Sequence, residues 1–285
     1  MIATFKILYV ESSLKEYGGQ KSLLDILLNL NTNKFKPILA CPKGSETLKK
    51  AEDKGIESIE LEMMSKSVNR KQSMVMDIFN SFKSSIKLFW LIRTKNIDLI
   101  HANTYKAGLI SILPAKLARI SLIWHDRAPD SHGIFDRILF YSSNKIIANS
   151  NYVAKSRPYY YNKKVKIIYN AIECNESAVL QNKEDWRKKF KFSKNDFLIG
   201  TIGRLTHTKA QHILIQATAK IIKKFPQVKI LLIGDIFRPG DEKYKKELIN
   251  LIKKLKLEGF VFLFLGSLTK KYMTGSAVVP IIIEI

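Results

Sequence analysis

The feature that most constrains this chain is a repeated switch of hydrophobic period. Short runs rich in β-branched and aromatic residues recur at 5–10 (FKILYV), 36–41 (KPILAC), 55–61 (GIESIEL), 97–102 (IDLIHA), 121–125 (SLIWH), 144–149 (NKIIAN) and 165–169 (VKIIY). Between most of them the apolar residues fall at helical spacing. In GGQKSLLDILLNL, Leu23, Leu24, Leu27, Leu28 and Leu30 share one broad face. SETLKKAEDKG opens on Ser45 as a cap and closes on Gly55. Longer helices are predicted over 74–94 and 104–119. Strands separated by helices return parallel, so the pattern predicts a doubly wound α/β sheet covered on both faces.

The first such unit is predicted to span 1–170. After the polar stretch NAIECNESAVLQNKEDW the alternation resumes: strand 197–203, helix 209–224, strand 228–234, helix 241–257, strand 260–266, then AVVPIII. Residues 171–285 therefore read as a second Rossmann-like domain. It offers four candidate strands, where a doubly wound sheet has about five or six, so it is expected to be incomplete.

Composition narrows the setting. An apolar fraction of 46% over 285 residues supports a packed core. No apolar run approaches the roughly 18 residues of a spanning helix, and MIATFKILYV lacks the parts of a signal peptide. Cys41 and Cys174 stand apart without a motif. A reduced, cytoplasmic setting follows. The net charge of +23 draws phosphates, anionic lipid or nucleic acid, and equally describes lysines filling solvated helix faces. No nucleic-acid recognition motif accompanies it, which sets nucleic acid aside as a partner.

Two loops carry candidate chemistry. Gly18 and Gly19 follow the first strand and open a helix, where glycine permits close approach and free N–H groups favour an anion. The same glycines also serve a plain helix entry. In IGRLTHTKAQHILIQA, Gly203 ends a strand, Arg204 can fork onto a phosphate and Lys209 adds a point charge. No pair of histidines has metal spacing, and no Asp-x-Asp motif occurs.

Taken together, Gly18-Gly19, IDLIHANT (97–104), IWHD (123–126), IIANSNYVAKS (146–156), IIYNAIE (167–173), IGRLTHTKAQHILIQA (202–217) and VKILLIGD (228–235) resemble the retaining glycosyltransferases of GT-B architecture, group-1 or family-four type. The order and spacing of these pieces cover nearly the whole chain. The resemblance implies two Rossmann-like domains facing a cleft, the first on the acceptor side and the second binding a nucleotide-sugar. It places Gly18 and Gly19 near the donor diphosphate and sugar. Gly203, Arg204 and Lys209 would neutralise the diphosphate, so that charge on the leaving oxygen is stabilised without a metal. It puts His125 at the reaction centre, and leaves His101, Asn103 and Asp126 as acceptor-side candidates. For Asp126 the residues themselves suggest pairing with nearby lysines. His207 is a further group near phosphate and His212 a helix-surface one. A donor phosphate oxygen would help take the acceptor proton, with no protein nucleophile. No cofactor is implied beyond the nucleotide-diphosphate-sugar substrate.

The likeness departs near residue 285. Family members carry a pair of glutamates there. Glu284 matches the first, isoleucine stands where serine usually follows Pro280, and the second glutamate is absent. A truncated, non-catalytic remnant that binds only an acceptor or partner is therefore the alternative to an active enzyme. Nucleotide-sugar epimerases share the two-domain shape, but GRLTHTK weighs against them. Residues 82–95 set Phe82, Ile86, Phe89, Trp90 and Ile92 among Lys83, Lys87, Arg93 and Lys95. Such a helix either lies on an anionic membrane surface, here the inner face of the cytoplasmic membrane, or packs on the sheet with snorkelling lysines. The tyrosines of RPYYYNKK (157–164) are a second candidate contact. The implied reaction moves a sugar onto a glycan or lipid-linked acceptor, as in surface polysaccharide assembly.

Overall fold

The computed structural model describes residues 4–62, 70–130, 132–157, 162–171, 187, 191–236, 241–265 and 280–282. The chain divides into two compact units, residues 1–172 and 173–285.

In the first unit the elements run β1 (Phe5–Val10), α1 (Gly18–Leu28), β2 (Phe35–Pro42), α2 (Glu46–Asp53), β3 (Glu57–Leu61), α3 (Arg70–Lys95), β4 (Leu99–Ala102), α4 (Tyr105–Ala118), β5 (Ser121–Asp126), α5 (Ile134–Ser142), β6 (Lys145–Ala148), α6 (Asn151–Lys155) and β7 (Val165–Ile167). The strands form a seven-stranded sheet in the order β3-β2-β1-β4-β5-β6-β7, and every pairing is parallel. Beyond β1 the chain first steps outward through β2 and β3. Helix α3 then carries it back to β4 on the other side of β1. The strand order therefore reverses between β1 and β4, the place where open α/β sheets leave a crevice at their carboxyl edge.

Alternation within each strand assigns side chains to opposite faces. Ile7, Tyr9, Leu39 and Cys41 pack under α1 and α2 with Leu23, Leu24, Leu27 and Leu48. Leu8, Val10, Ile100, Ala102, Leu122, Trp124 and Ile146 face the other way, into a core shared with Leu88 and Ile92 of α3 and Leu139 of α5. Leu28, expected on the buried face of α1, is 48% exposed because it lies at that face's edge. Ser45 sits at the N-cap of α2, but its hydroxyl donates to the Ser13 carbonyl rather than capping the helix. Helices α5 and α6 were not anticipated from the pattern. On α3, Ser84, Leu88 and Ile92 are buried at four-residue spacing, while Phe82, Ile86 and Trp90 face solvent. Part of that helix thus packs on the sheet and part does not.

The second unit contains β8 (Phe197–Ile202), a 3-10 turn (His207–Lys209), α7 (Gln211–Ile221), β9 (Val228–Ile233), α8 (Asp241–Lys254), β10 (Val261–Phe264) and β11 (Pro280–Ile282). Its sheet has the order β10-β9-β8-β11. Strands β8, β9 and β10 are parallel, and Leu205, Ile215, Ile230, Leu232, Leu248 and Ile252 fill the core. The last strand runs antiparallel to β8, which the strand-helix rhythm does not reveal. It begins at Pro280 on the sheet edge, where a missing N–H is tolerated.

Candidate functional site

In the first unit the carboxyl ends of β1, β4 and β5 lie side by side, with Tyr9 paired to His101 and His101 to Ile123. This register brings together residues far apart in the chain. His101 lies against the ring of Tyr9, with centroids 4.9 Å apart. Its Nε2 is 3.2 Å from Nδ1 of His125. One residue past β4, Asn103 is fully buried. Its amide donates to the Glu11 carboxylate and, at 3.3 Å, to the Gly19 carbonyl. Its Oδ1 accepts from Arg127 Nε at 2.9 Å.

Arg127 is the hub. Besides Asn103, its guanidinium donates to Asn170 Oδ1 at 3.1 Å and to His125 Nδ1 at 3.2 Å. Asn170 Oδ1 also accepts from Ser22 of α1. The Arg127 stem lies so close to the helix entry that a Cβ on Gly19 would come within 3.1 Å of its Cδ. Gly19 is thus fixed by packing, as well as by its place at the helix entry. Glu11, which balances the cation, is fully buried and accepts from the backbone N–H groups of Ser12 and Ser13. The helix that starts at Gly18 directs its first-turn amides to the same edge.

Burial governs the charge states here. Desolvation, and then the Arg127 cation, push His101 down to about 3. Desolvation, Arg127 and His101 push His125 down to about 2. Both imidazoles are therefore neutral near pH 7. Arg127 itself is lowered by burial to about 10, with Glu11 acting the other way, and so keeps its charge.

Asp126 does not join this group. Consecutive strand residues point to opposite faces, so while His125 meets Arg127, Asp126 turns to the α5 side. There Arg157 donates to Asp136 at 2.7 Å and reaches Asp126 at 3.4 Å, all three side chains being buried. Arg157 also donates to the Asp130 carbonyl at 2.6 Å and lies 6.0 Å from the Trp124 ring centroid. The lysine partner expected for Asp126 is instead this arginine, in an ion pair that braces the loop after β5. Lysine, more strongly hydrated, suits such a buried site less well.

In the second unit, β8 ends in Gly203, whose N–H donates to Ile233 of β9. A Cβ on Gly234 would fall 1.9 Å from the Gly203 carbonyl oxygen, so the two strand ends meet only because Gly234 has no side chain. Arg204 and Lys209 follow and are half-buried. Burial, and then the charge of Arg204, lower the pKa of Lys209, which places the two cations within electrostatic reach of each other. The intervening turn is anchored where Gln211 donates to the Arg204 carbonyl at 2.9 Å. It closes at Ala210 in the left-handed region, φ +54°. His207 lies over the Tyr244 ring at 4.2 Å with its Nε2 3.1 Å from Glu247. His212 Nδ1 is 2.9 Å from the Tyr244 hydroxyl. Glu284, Cys174, Tyr159, Tyr160 and Tyr161 lie outside the described residues. Among the described residues no cluster of three or more His, Cys, Asp or Glu could hold a metal ion.

The sequence therefore supplied His101, His125, Asn103 and Gly19 of the first cluster, but not Glu11, Arg127 or Asn170. A carboxylate placed directly after the apolar run ILYV was the available signal for Glu11. Arg127 follows IWHD, where it reads as an acceptor-hydroxyl or surface-pairing candidate, and Asn170 lies within IIYNAIE, but neither string shows that the two meet.

The comparisons with known proteins agree with this architecture. The family model for Glycosyltransferase Family 4 matches residues 17–176, and that for Glycosyl transferases group 1 matches residues 182–278. The O-antigen biosynthesis glycosyltransferase WclY of Escherichia coli is 28% identical over 272 residues, covering 90% of this chain and 67% of WclY. The glycosyltransferase MJ1059 of Methanocaldococcus jannaschii is 28% identical over 207 residues, covering 65% of this chain and 49% of that protein. Against MJ1059 and an E. coli galactosyltransferase the matched part is about half of the relative's length. Among solved structures, Anabaena Alr3699/HepE in complex with UDP superposes with a TM-score of 0.72 at 23% identity, covering 92% of this chain and 69% of that one. A glycosyltransferase from Rickettsia africae gives 0.71 at 21% identity, covering 95% and 71%. These likenesses show the GT-B fold, and the two family matches, one in each unit, show that the chain belongs to the group-1, family-four glycosyltransferases.

Proposed function

We propose that this protein transfers a sugar from a nucleotide-diphosphate-sugar to a glycan or lipid-linked acceptor in surface polysaccharide assembly. The observation that carries this is the placement of Arg204 just after β8 and of Lys209 on the 3-10 turn that follows, both half-buried at the carboxyl end of that strand. A diphosphate is a group that a guanidinium fork and a neighbouring ammonium can bind together. Relatives in O-antigen and capsule synthesis, and a fold neighbour solved with UDP, support the same substrate class.

In the proposed retaining reaction the acceptor oxygen bonds to the anomeric carbon as the sugar–phosphate bond breaks. The acceptor proton passes to a phosphate oxygen of the departing nucleotide. Arg204 and Lys209 meet the charge on that group, which makes metal-independent chemistry sufficient. Gly18 and Gly19 with the α1 amides, and His125, are assigned to the donor sugar and diphosphate. His101 and Asn103 are assigned to the acceptor side, Asn103 through its hold on Glu11 and Arg127. Glu284 remains the donor-side candidate from the sequence. Titration calorimetry with UDP tests the donor reading: binding that Arg204→Ala weakens about 10- to 100-fold supports it. Absence of binding by any nucleoside diphosphate, with acceptor binding retained, favours the non-catalytic alternative.

An anionic membrane at the cytoplasmic face is the proposed surface for a lipid-linked acceptor. On α3, α4 and α5 large apolar residues face outward, among them Phe82, Ile86, Trp90, Leu117 and Ile138. From Phe79 to Lys95 and through α4 and α5 the only carboxylate is Asp136, which is buried. Apolar groups set among cations suit a peripheral contact; no described helix is long and apolar enough to span a bilayer. Sedimentation with anionic liposomes at low salt, compared with high salt, tests it.

A further inference from the structure

We propose that Arg127 is a positioning residue that locks His125 into one tautomer, so that His125 offers a fixed Nε2–H donor to a ligand oxygen and does not act as a base. This deepens the proposed donor site and rests on it for the ligand's identity, but the lock itself stands on the geometry of the first unit alone.

A guanidinium has only N–H groups to give. Because Arg127 points one of them at His125 Nδ1, 3.2 Å away, that nitrogen must be the acceptor. The ring proton is then on Nε2. His101 approaches the same Nδ1 at 3.2 Å, and to bond there it must donate from its own Nε2. Two donors thus share one in-plane lone pair, and a proton at Nδ1 would face both. The orientation of Arg127 is secured from behind. Asn103 takes its Nε–H, Asn170 takes another N–H, and the Glu11 carboxylate balances the charge through Asn103.

The other end of the ring is the functional end. His125 Nε2 is buried and has no hydrogen-bond partner among the described residues. An unpaired buried donor is unfavourable, and a ligand oxygen placed there removes that penalty. A sugar hydroxyl oxygen or a phosphate oxygen fits; a group that must itself donate does not. The charged and titratable groups around the ring are Arg127, His101 and, one residue further, Glu11 and Tyr9. Asp126, Asp136 and Arg157 lie on the opposite face of the sheet.

The test is nitrogen-15 NMR of the full chain labelled at histidine, with no ligand present. The expected result is an Nε2–H tautomer for His125 that does not titrate between pH 5.5 and 8.5. Arg127→Lys, which still donates, should preserve it. Arg127→Met should give a mixture of tautomers and a titration that enters the observed range. A wild-type His125 that carries its proton on Nδ1, or that titrates in that range, overturns the proposal even if the Arg127 variants do not fold. Because no nucleotide or acceptor is needed, this failure is distinct from failure of the glycosyltransferase reading, which the UDP titration reports.

Discussion

The two units end their strands in opposite ways. At the carboxyl edge of the first sheet, the buried Glu11, Asn103, His101 and His125 form one connected cluster with the half-buried Arg127, and the buried Asp126, Asp136 and Arg157 form another. At the edge of the second sheet, Arg204 and Lys209 are half-buried on a short turn held through backbone contacts. Groups of the first kind contribute to stability because breaking them strands a charge away from water. Groups of the second kind are only half-buried, so their removal should leave the fold largely intact.

The largest effect belongs to the buried ion pair. Asp136→Ala leaves Arg157 without its 2.7 Å partner and should cost about 3–5 kcal/mol of the first unit's stability in urea unfolding. Arg204→Ala should stay within about 0.5 kcal/mol. Equal losses would erase the contrast between the units. The same Arg204→Ala change should weaken UDP binding about 10- to 100-fold by calorimetry, since a hydrogen bond to a charged group is worth about 1.5–3 kcal/mol.

Acid sharpens the comparison further. His101 and His125 have folded pKa values near 3 and 2, below the ordinary 6.5. Between those values the unfolded chain binds the extra protons. The histidines' contribution to stability is therefore fully present above pH 6.5 and is lost as pH falls below it. Each contributes a slope of about 1.4 kcal/mol per pH unit. His125→Gln should remove one histidine's share of that slope between pH 6 and 4, read from urea midpoints.

Gly19→Ala should cost about 1 kcal/mol, because the new methyl group meets the Arg127 stem at 3.1 Å and must displace it. In the nitrogen-15 spectrum the same variant should perturb the His125 signals. The smallest stability change should come from Trp90→Ser. That ring is 61% exposed, so unfolding should shift by no more than about 0.5 kcal/mol, while sedimentation with anionic liposomes falls.

How much of this was legible in the sequence depended on distance along the chain. The period switch disclosed β1 to β10 because a strand or helix declares itself within a few residues. Helix α5 was missed: Ile134, Phe135 and Ile138 face solvent, so its apolar residues do not mark a single buried stripe. The strand at β11 was legible in AVVPIII but its antiparallel direction was not, because direction is set by how a chain returns, which composition does not encode. The site divided in the same way. Gly19, His125 and Arg204 sit in short recognisable strings. Glu11 and Asn103 are bonded across 92 residues, and Arg127 and Asn170 across 43. Those partners are chosen by sheet order, which appears only after folding.

The register of β5 has a consequence for how this protein can vary. Neighbouring positions on that strand serve separate chemistries on the two sides of one layer. Losing or gaining a single amino acid between Ser121 and Asp126 would exchange the imidazole and the carboxylate, disabling both clusters at a stroke. Substitutions near the solvent-facing start of the strand are tolerable, but changes in its length are not. Across relatives of this chain, insertions and deletions should therefore gather in the loops and spare this segment.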